Sequence, residues 1–504
     1  MNRSTLTLAG AVAALAALTG VAAVAAPGDE AGRAPAAAAR KPVERSTLVC
    51  PKPTESDVAE TVYSAVTPKG GAAKGGTAEL YPAESAETGT GSGTEDGSKG
   101  KGAKDEGGQA VLPLKSPGTP VTSTTSRSDA PALIGSAEGR FAPGWTVQQT
   151  TEVSAGAGKG LHGTACSVPD TDFWFPATST AKDRKDYVHL TNPDSTGATV
   201  DLDLYGKDGR VSTSSGEAIN VPPRSTVPVL LSTLTEEPVT NATLHVSART
   251  GRVGAQVQSL DEKLGGDWIA PAADAAPSTV LPGIPGDAAS VRLVVHAPGD
   301  RDADLKVRFA GPSGRITPAG YETLHVRGGM TTAVDLKNLA QGEAGTLELT
   351  PAEKDGATPV VAGLRVTRGK GGGQESAFVP ATRPVDARAT AVGDSGREPR
   401  LTLTATGKTA KVRVTTSAGS DGGSPASRTY EVKGGTTKSF APPAPKGVRG
   451  SYGVTVERLS GGPLYAARTL TGGGSAFTVQ GLPDDRGTVS VPRATQDLSV
   501  LNDD

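Results

Sequence analysis

Five histidines, two cysteines and three tryptophans are the residues of this chain best suited to chemistry. His162, His189, His245, His296 and His325 would supply general bases or metal ligands, but none stands at HxxxH or HxxEH spacing, so no zinc-hydrolase pattern is present. Cys50 and Cys166 form an even count without a CxxC pair, which reads as one disulfide in an exported chain. Trp145, Trp174 and Trp268 are the candidates for ligand contact, as stacking platforms. With aromatics at 4% of the residues, a β core also competes for those rings.

Other local matches fail on inspection. Asp300, Asp302 and Asp304 copy the start of a calcium loop, but Leu305 stands where the turn requires Gly and Gly311 where a bidentate Glu is needed. Thr406-Gly407-Lys408-Thr409 resembles the end of a phosphate loop without its first glycine or a following helix. There is no GxSxG elbow. No catalytic residue, cofactor site or metal site is therefore assigned. Lys plus Arg (51) against Asp plus Glu (53) excludes the basic stripe that nucleic acid binding needs.

What must position these residues is a repeat of domain size. Val221-Pro-Pro-Arg-Ser-Thr226-Val-Pro-Val-Leu has counterparts at Leu114, Val326 and Val432, spaced 107, 105 and 106 residues apart. Each is followed five positions later by threonine: Thr119, Thr226, Thr331 and Thr437. Between them run short alternating segments such as Val200-Asp-Leu202-Asp-Leu204, the period-two pattern of a strand with one wet face. About seven such strands per repeat, punctuated by Gly and Pro turns, predict an all-β chain of about four tandem immunoglobulin-like β-sandwich modules.

The expected boundaries are a signal peptide or membrane anchor at 1–26, a flexible spacer at 27–45, and β module 1 at 46–152 with a disordered insertion at 83–110. A connector with module 2 follows at 153–262, module 3 at 263–370, and module 4 at 371–504. Thr488–Val491 is expected to close the last module as an edge strand, and His189 and His296 are expected at one repeat position. Arg3 followed by the apolar run Leu6–Ala26 gives the export signal, with Ala23-Val24-Ala25 as a cleavage site. Uncleaved, the same run is long enough to anchor the chain.

Ser46-Thr-Leu-Val-Cys-Pro51, Arg140-Phe-Ala-Pro-Gly-Trp-Thr-Val147, Phe173-Trp-Phe-Pro176 and Val188-His-Leu-Thr-Asn-Pro193 occur in this order, with the Val221 stretch after them. Taken together they resemble an exported actinobacterial family of proteins defined only as a domain of unknown function. The resemblance covers the chain beyond the signal, carries no catalytic residue, and implies a place near envelope glycan assembly. The expectation is an extracytoplasmic, non-enzymatic envelope scaffold or interaction protein without a cofactor. Its partner would be an unknown envelope protein or polysaccharide, and it would touch a membrane only through an uncleaved N-terminus. The alternative is a glycan-binding or accessory protein of envelope polysaccharide assembly.

Overall fold

The computed structural model describes residues 39–70, 74–85, 110–353, 355–393 and 396–491. The expected signal segment and most of the 83–110 insertion lie outside them. The described chain is all-β, with three short 3-10 turns and no α-helix. None of its helices is long and apolar enough to cross a membrane.

Pro42–Thr488 form one compact unit. Within it, eight separate sheets are drawn in pairs from consecutive stretches of the chain, and their strand pairing is antiparallel save for Ser225–Thr226 beside Glu84–Ser85. Four hydrophobic clusters lie between the paired sheets. The second pair shows why. Val200, Leu202 and Leu204 alternate with Asp201 and Asp203 along Ala198–Gly206, so the apolar set turns into the cluster and the carboxylates turn out. Cys50 and Cys166 are bridged, tying the strand Arg45–Cys50 to the segment that leaves the first pair.

The structure moves the expected boundaries. Gly160–Ala165, read as connector, pairs with Thr146–Val153 and is the last strand of the first pair. Gly265–Ile269 likewise completes the second pair. Ala377-Phe-Val-Pro380, read as the opening of module 4, lies in Glu375–Pro380 and pairs with Val361–Arg368 of the third. The fourth begins at Arg388–Val392. Thr488–Val491 does not close that pair, because its partner is Ala39–Pro42, inside the expected spacer. All these segments are short and flanked by Gly or Pro, so periodicity alone leaves their partners undetermined.

The four pairs close into a ring. Their last strands, Gly160–Ala165, Gly265–Ile269, Glu375–Pro380 and Phe477–Gly481, adjoin one another in sequence, and the fourth returns to the first. Each opening strand lies against the penultimate strand of the following pair, again with the fourth meeting the first. There, Gln148 Oε1 accepts from the Val392 amide at 2.7 Å and Arg468 Nη1 donates to the Val392 carbonyl at 2.7 Å.

The recurring threonine now has a physical role. Thr331 Oγ1 donates to the Tyr205 carbonyl (2.9 Å) and Thr437 Oγ1 to the Ala310 carbonyl (2.6 Å), each at the end of a strand in the preceding pair. Thr226 bonds Thr191 and aligns with Ser85 of the first pair. Thr119 departs from this pattern: it precedes the strand Val121–Thr125 instead of lying in it.

Candidate functional site

At the ring's centre the last strands place His162, Asp267, Ala377 and Thr478 at one register position, opposite Thr151, Ser259, Val366 and Leu470. The Asp267 carboxylate is buried, and its Oδ1 accepts from the Gly163 amide (2.9 Å) and from Thr478 Oγ1 (3.1 Å). One carboxyl of the second pair thus joins the first and the fourth. Burial holds this carboxyl well above the usual range, and its Oδ2 has no hydrogen-bond partner. His162, packed beside Gly266, bonds Thr54 Oγ1 and the Gly158 carbonyl, and burial draws it down to about 4. At the margin of this core, Glu375 crowds against Gly160 and Gly265; burial raises it to about 7 against the opposing pull of Lys159. Asp267 and His162 thus bond to other segments inside the protein.

The three tryptophans are not brought together. Trp145 is buried in the first core over Gly135, and Trp268 is buried edge-on to His189 at 5.4 Å. Half-buried Trp174 lies where the second pair meets the third. His245 stacks on it at 3.9 Å, His296 of the third pair lies 5.4 Å away, and Tyr205 packs against His296 at 4.5 Å. His245 is held to Asp172 at 2.7 Å. His296 Nδ1 donates to the Met330 carbonyl (3.0 Å), which leaves Nε2 as a buried acceptor without a partner. Burial draws His296 to about 4. Trp174 thus serves as filling for a seam, with protein rings against it.

His189 and His296 do not share a repeat position. His296 pairs across with Thr331, as Thr191 does with Thr226 and Thr404 with Thr437, so His189 is two residues earlier in the repeat. Asp302 and Asp304 face His325 at the surface (3.4 and 2.9 Å), and Thr406–Thr409 is the turn between Arg400–Ala405 and Ala410–Thr416. Among the described residues no group of three or more His, Cys, Asp or Glu is placed to hold a metal.

The seam between the third and fourth pairs is open. A groove of about 670 Å³ runs there, between residues 283–287 and 342–344 on one wall and Arg400, Thr402, Thr469 and the edge strand Thr436–Phe440 on the other. Both seams start from the same bulge in the opening strand, between Pro176 and Thr178 in one and between Pro282 and Ile284 in the other. The bulged residue has positive φ in each: Ala177 at 76° and Gly283 at 101°.

Beyond the bulge the seams diverge. In the closed one, Arg292 is opposed by Asp335 and Arg365, binds Asp335 through two 2.7 Å bonds, and reaches Asn241 of the second pair at 3.5 Å. In the open one the corresponding Arg400 is opposed by Thr469, and the edge strand ends at Phe440, one residue short of the place Asp335 takes. Arg400 is exposed, its Nη2 3.4 Å from the Ser439 carbonyl, with no carboxylate in ion-pair reach among the described residues. The sequence reading missed this groove. The signal available to it was the pair Arg292 and Arg400, one repeat apart, followed in the second case by small hydroxyl residues.

A family of unknown function, DUF5719, matches residues 121–443. The chain belongs to that family. The match spans the second and third pairs, much of the fourth and part of the first, and so covers the closed seam and the part of the open one that precedes residue 444. No curated protein and no solved structure matches the chain.

Proposed function

We propose that this DUF5719 protein is an exported, non-catalytic scaffold or interaction protein of the cell envelope, built from four tandem immunoglobulin-like sandwiches closed on themselves. The observation that carries the reading is where the chemically capable side chains go. Asp267, His162, His296 and Trp174 all bind or pack between sheet pairs, which makes a rigid body, and the concavity at the open seam is a groove of mixed charge. The Cys50–Cys166 disulfide suits an oxidising compartment, and residues 1–26 have the composition of an export signal. Mass spectrometry of the protein recovered from its native host tests export: a mature start at Ala26 outside the cytoplasm supports it, and intact Met1 protein in the cytosol contradicts it.

A second reading, a glycan-binding or accessory protein of envelope polysaccharide assembly, draws support from the hydroxyls of Thr402, Thr436, Thr469, Thr471 and Ser439 along the groove. Its site would be the groove, since Trp174 is packed against protein rings. Retention on a cell-wall polysaccharide column that is lost in Thr469→Arg, with the fold intact, would favour it.

A further inference from the structure

The geometry points to an acidic, extended peptide segment as the occupant of the groove between the third and fourth sheet pairs, added alongside the strand Thr436–Phe440 with a carboxylate seated on Arg400. The inference rests on the reading of the protein as an interaction module and names the class of its partner.

Two features of the chain itself act as templates. The first is the arginine. At the closed seam Arg292 is filled by Asp335, a carboxylate carried on a neighbouring extended strand and bound through both arms of the guanidinium. Arg400 occupies the same place in the fourth pair and lacks that strand residue, so its fork faces the groove. Lys433 and Lys438 stand exposed beside it. Arg368 is already neutralised by Asp287 at 2.6 Å, which leaves three cations against Glu343 and Glu431 along the groove.

The second feature is the strand edge. Thr436–Phe440 pairs with Arg400–Ala405 on one side and is the edge of its sheet. Its Thr437 amide points away from the sheet, to the Gly311 carbonyl at 2.9 Å. Backbone groups alternate along a strand, so those of Ser439 point the same way, into the groove. The corresponding edge in the second pair, Ser225–Leu230, already carries added chain: Glu84 and Ser85 run parallel to it, with the Glu84 amide bonding the Arg224 carbonyl at 2.9 Å. Strand addition at an open edge draws affinity from main-chain bonds and selectivity from side-chain sites. Here the selective site is the Arg400 fork. The groove volume lies within the range of about 300–1,000 Å³ typical of ligand sites.

The test is fluorescence anisotropy on the purified protein with a labelled octapeptide alternating Asp and Val. The same peptide with Lys for Asp, and a labelled polyuronate oligomer of equal charge, serve as comparisons. The expected result is saturable binding of the acidic peptide that weakens with salt, no binding of the Lys peptide, and weaker binding of the polyuronate. Arg400→Ala should weaken the acidic peptide at least tenfold. Ser439→Pro, which removes an outward amide at an edge position that tolerates proline, should do the same. Thr469→Arg should fill the groove as Arg365 does at the other seam and abolish binding. Unchanged thermal midpoints show that the variants fold. Absence of peptide binding, binding indifferent to Arg400→Ala and Ser439→Pro, or tighter binding of the polyuronate would each overturn the inference. If it fails while the mature protein is still found outside the cell, the peptide assignment is lost and export stands.

Discussion

The seam between the second and third sheet pairs and the seam between the third and fourth begin alike and end differently. Both start from a bulge in the opening strand and share a threonine that binds the preceding pair's carbonyl. The first is then filled by Trp174, His245, Tyr205 and His296, with Arg292 and Arg365 behind them. The second has Val280, Glu348, Ala310 and Thr404 in the corresponding places, with Glu348 paired to Arg315 at 2.6 Å, and it leaves a groove. A common backbone joint is therefore separable from what fills it. Side-chain size and the pairing of one arginine decide whether a joint is sealed or left open to a partner.

The comparison can be broken at its fillings. Trp174→Ala should destabilise the protein by about 3 kcal/mol in urea denaturation, because the stack has no nearby side chain to collapse into its place. The counterpart Val280→Ala should cost about 1.5 kcal/mol. Equal costs would mean that the two seams are not built differently.

At the shared clamp the seams should respond alike. Thr331→Val and Thr437→Val each remove the donor to a preceding carbonyl and should cost about 1–2 kcal/mol. Thr226→Val, which loses a bond to Thr191 within its own pair, should cost less. A large effect at Thr226 alone would contradict the clamp.

The smallest expected effect concerns pH. Burial raises Glu375 to about 7 from 4.5, so the folded protein holds this proton more tightly than the unfolded chain does. Its contribution is present in full below pH 4.5 and is lost as pH rises through about 7. His162, His189 and His296, drawn down to about 4, act in the opposite direction and lose stability as pH falls from 6.5 through about 4. Thermal melts of Glu375→Gln should therefore lack part of the decline between pH 4.5 and 7 and keep the acid-side decline. An unchanged alkaline limb would remove Glu375 from this account.

The sequence showed the architecture more readily than the site. Alternation in segments such as Val200 to Leu204 marks strands directly, because burying one face imposes period two, and the threonine spacing marks the joints. The axial strands Gly160–Ala165 and Gly265–Ile269 carry no such mark. They are buried on both faces, so their polar residues bond to other sheet pairs and no wet face alternates with a dry one. Asp267 thus carried no mark in the sequence, and His162 stood out only as one histidine of five. Cys50 and Cys166 were legible as a pair because two cysteines allow only one bridge. The groove left only the mark of Arg400 recurring one repeat after Arg292, because it arises where the edge strand stops one residue short of a partner for Arg400, a property of register more than of residue type.

The account's central claim is that four sheet pairs, three of them joined at the buried Asp267 carboxyl, fold as one body. Differential scanning calorimetry of the intact, oxidised protein tests it most directly. The account predicts one transition whose calorimetric and van't Hoff enthalpies agree, shifted as a whole by Asp267→Ala. Resolved transitions, with Asp267→Ala moving one of them and leaving the others in place, would contradict it.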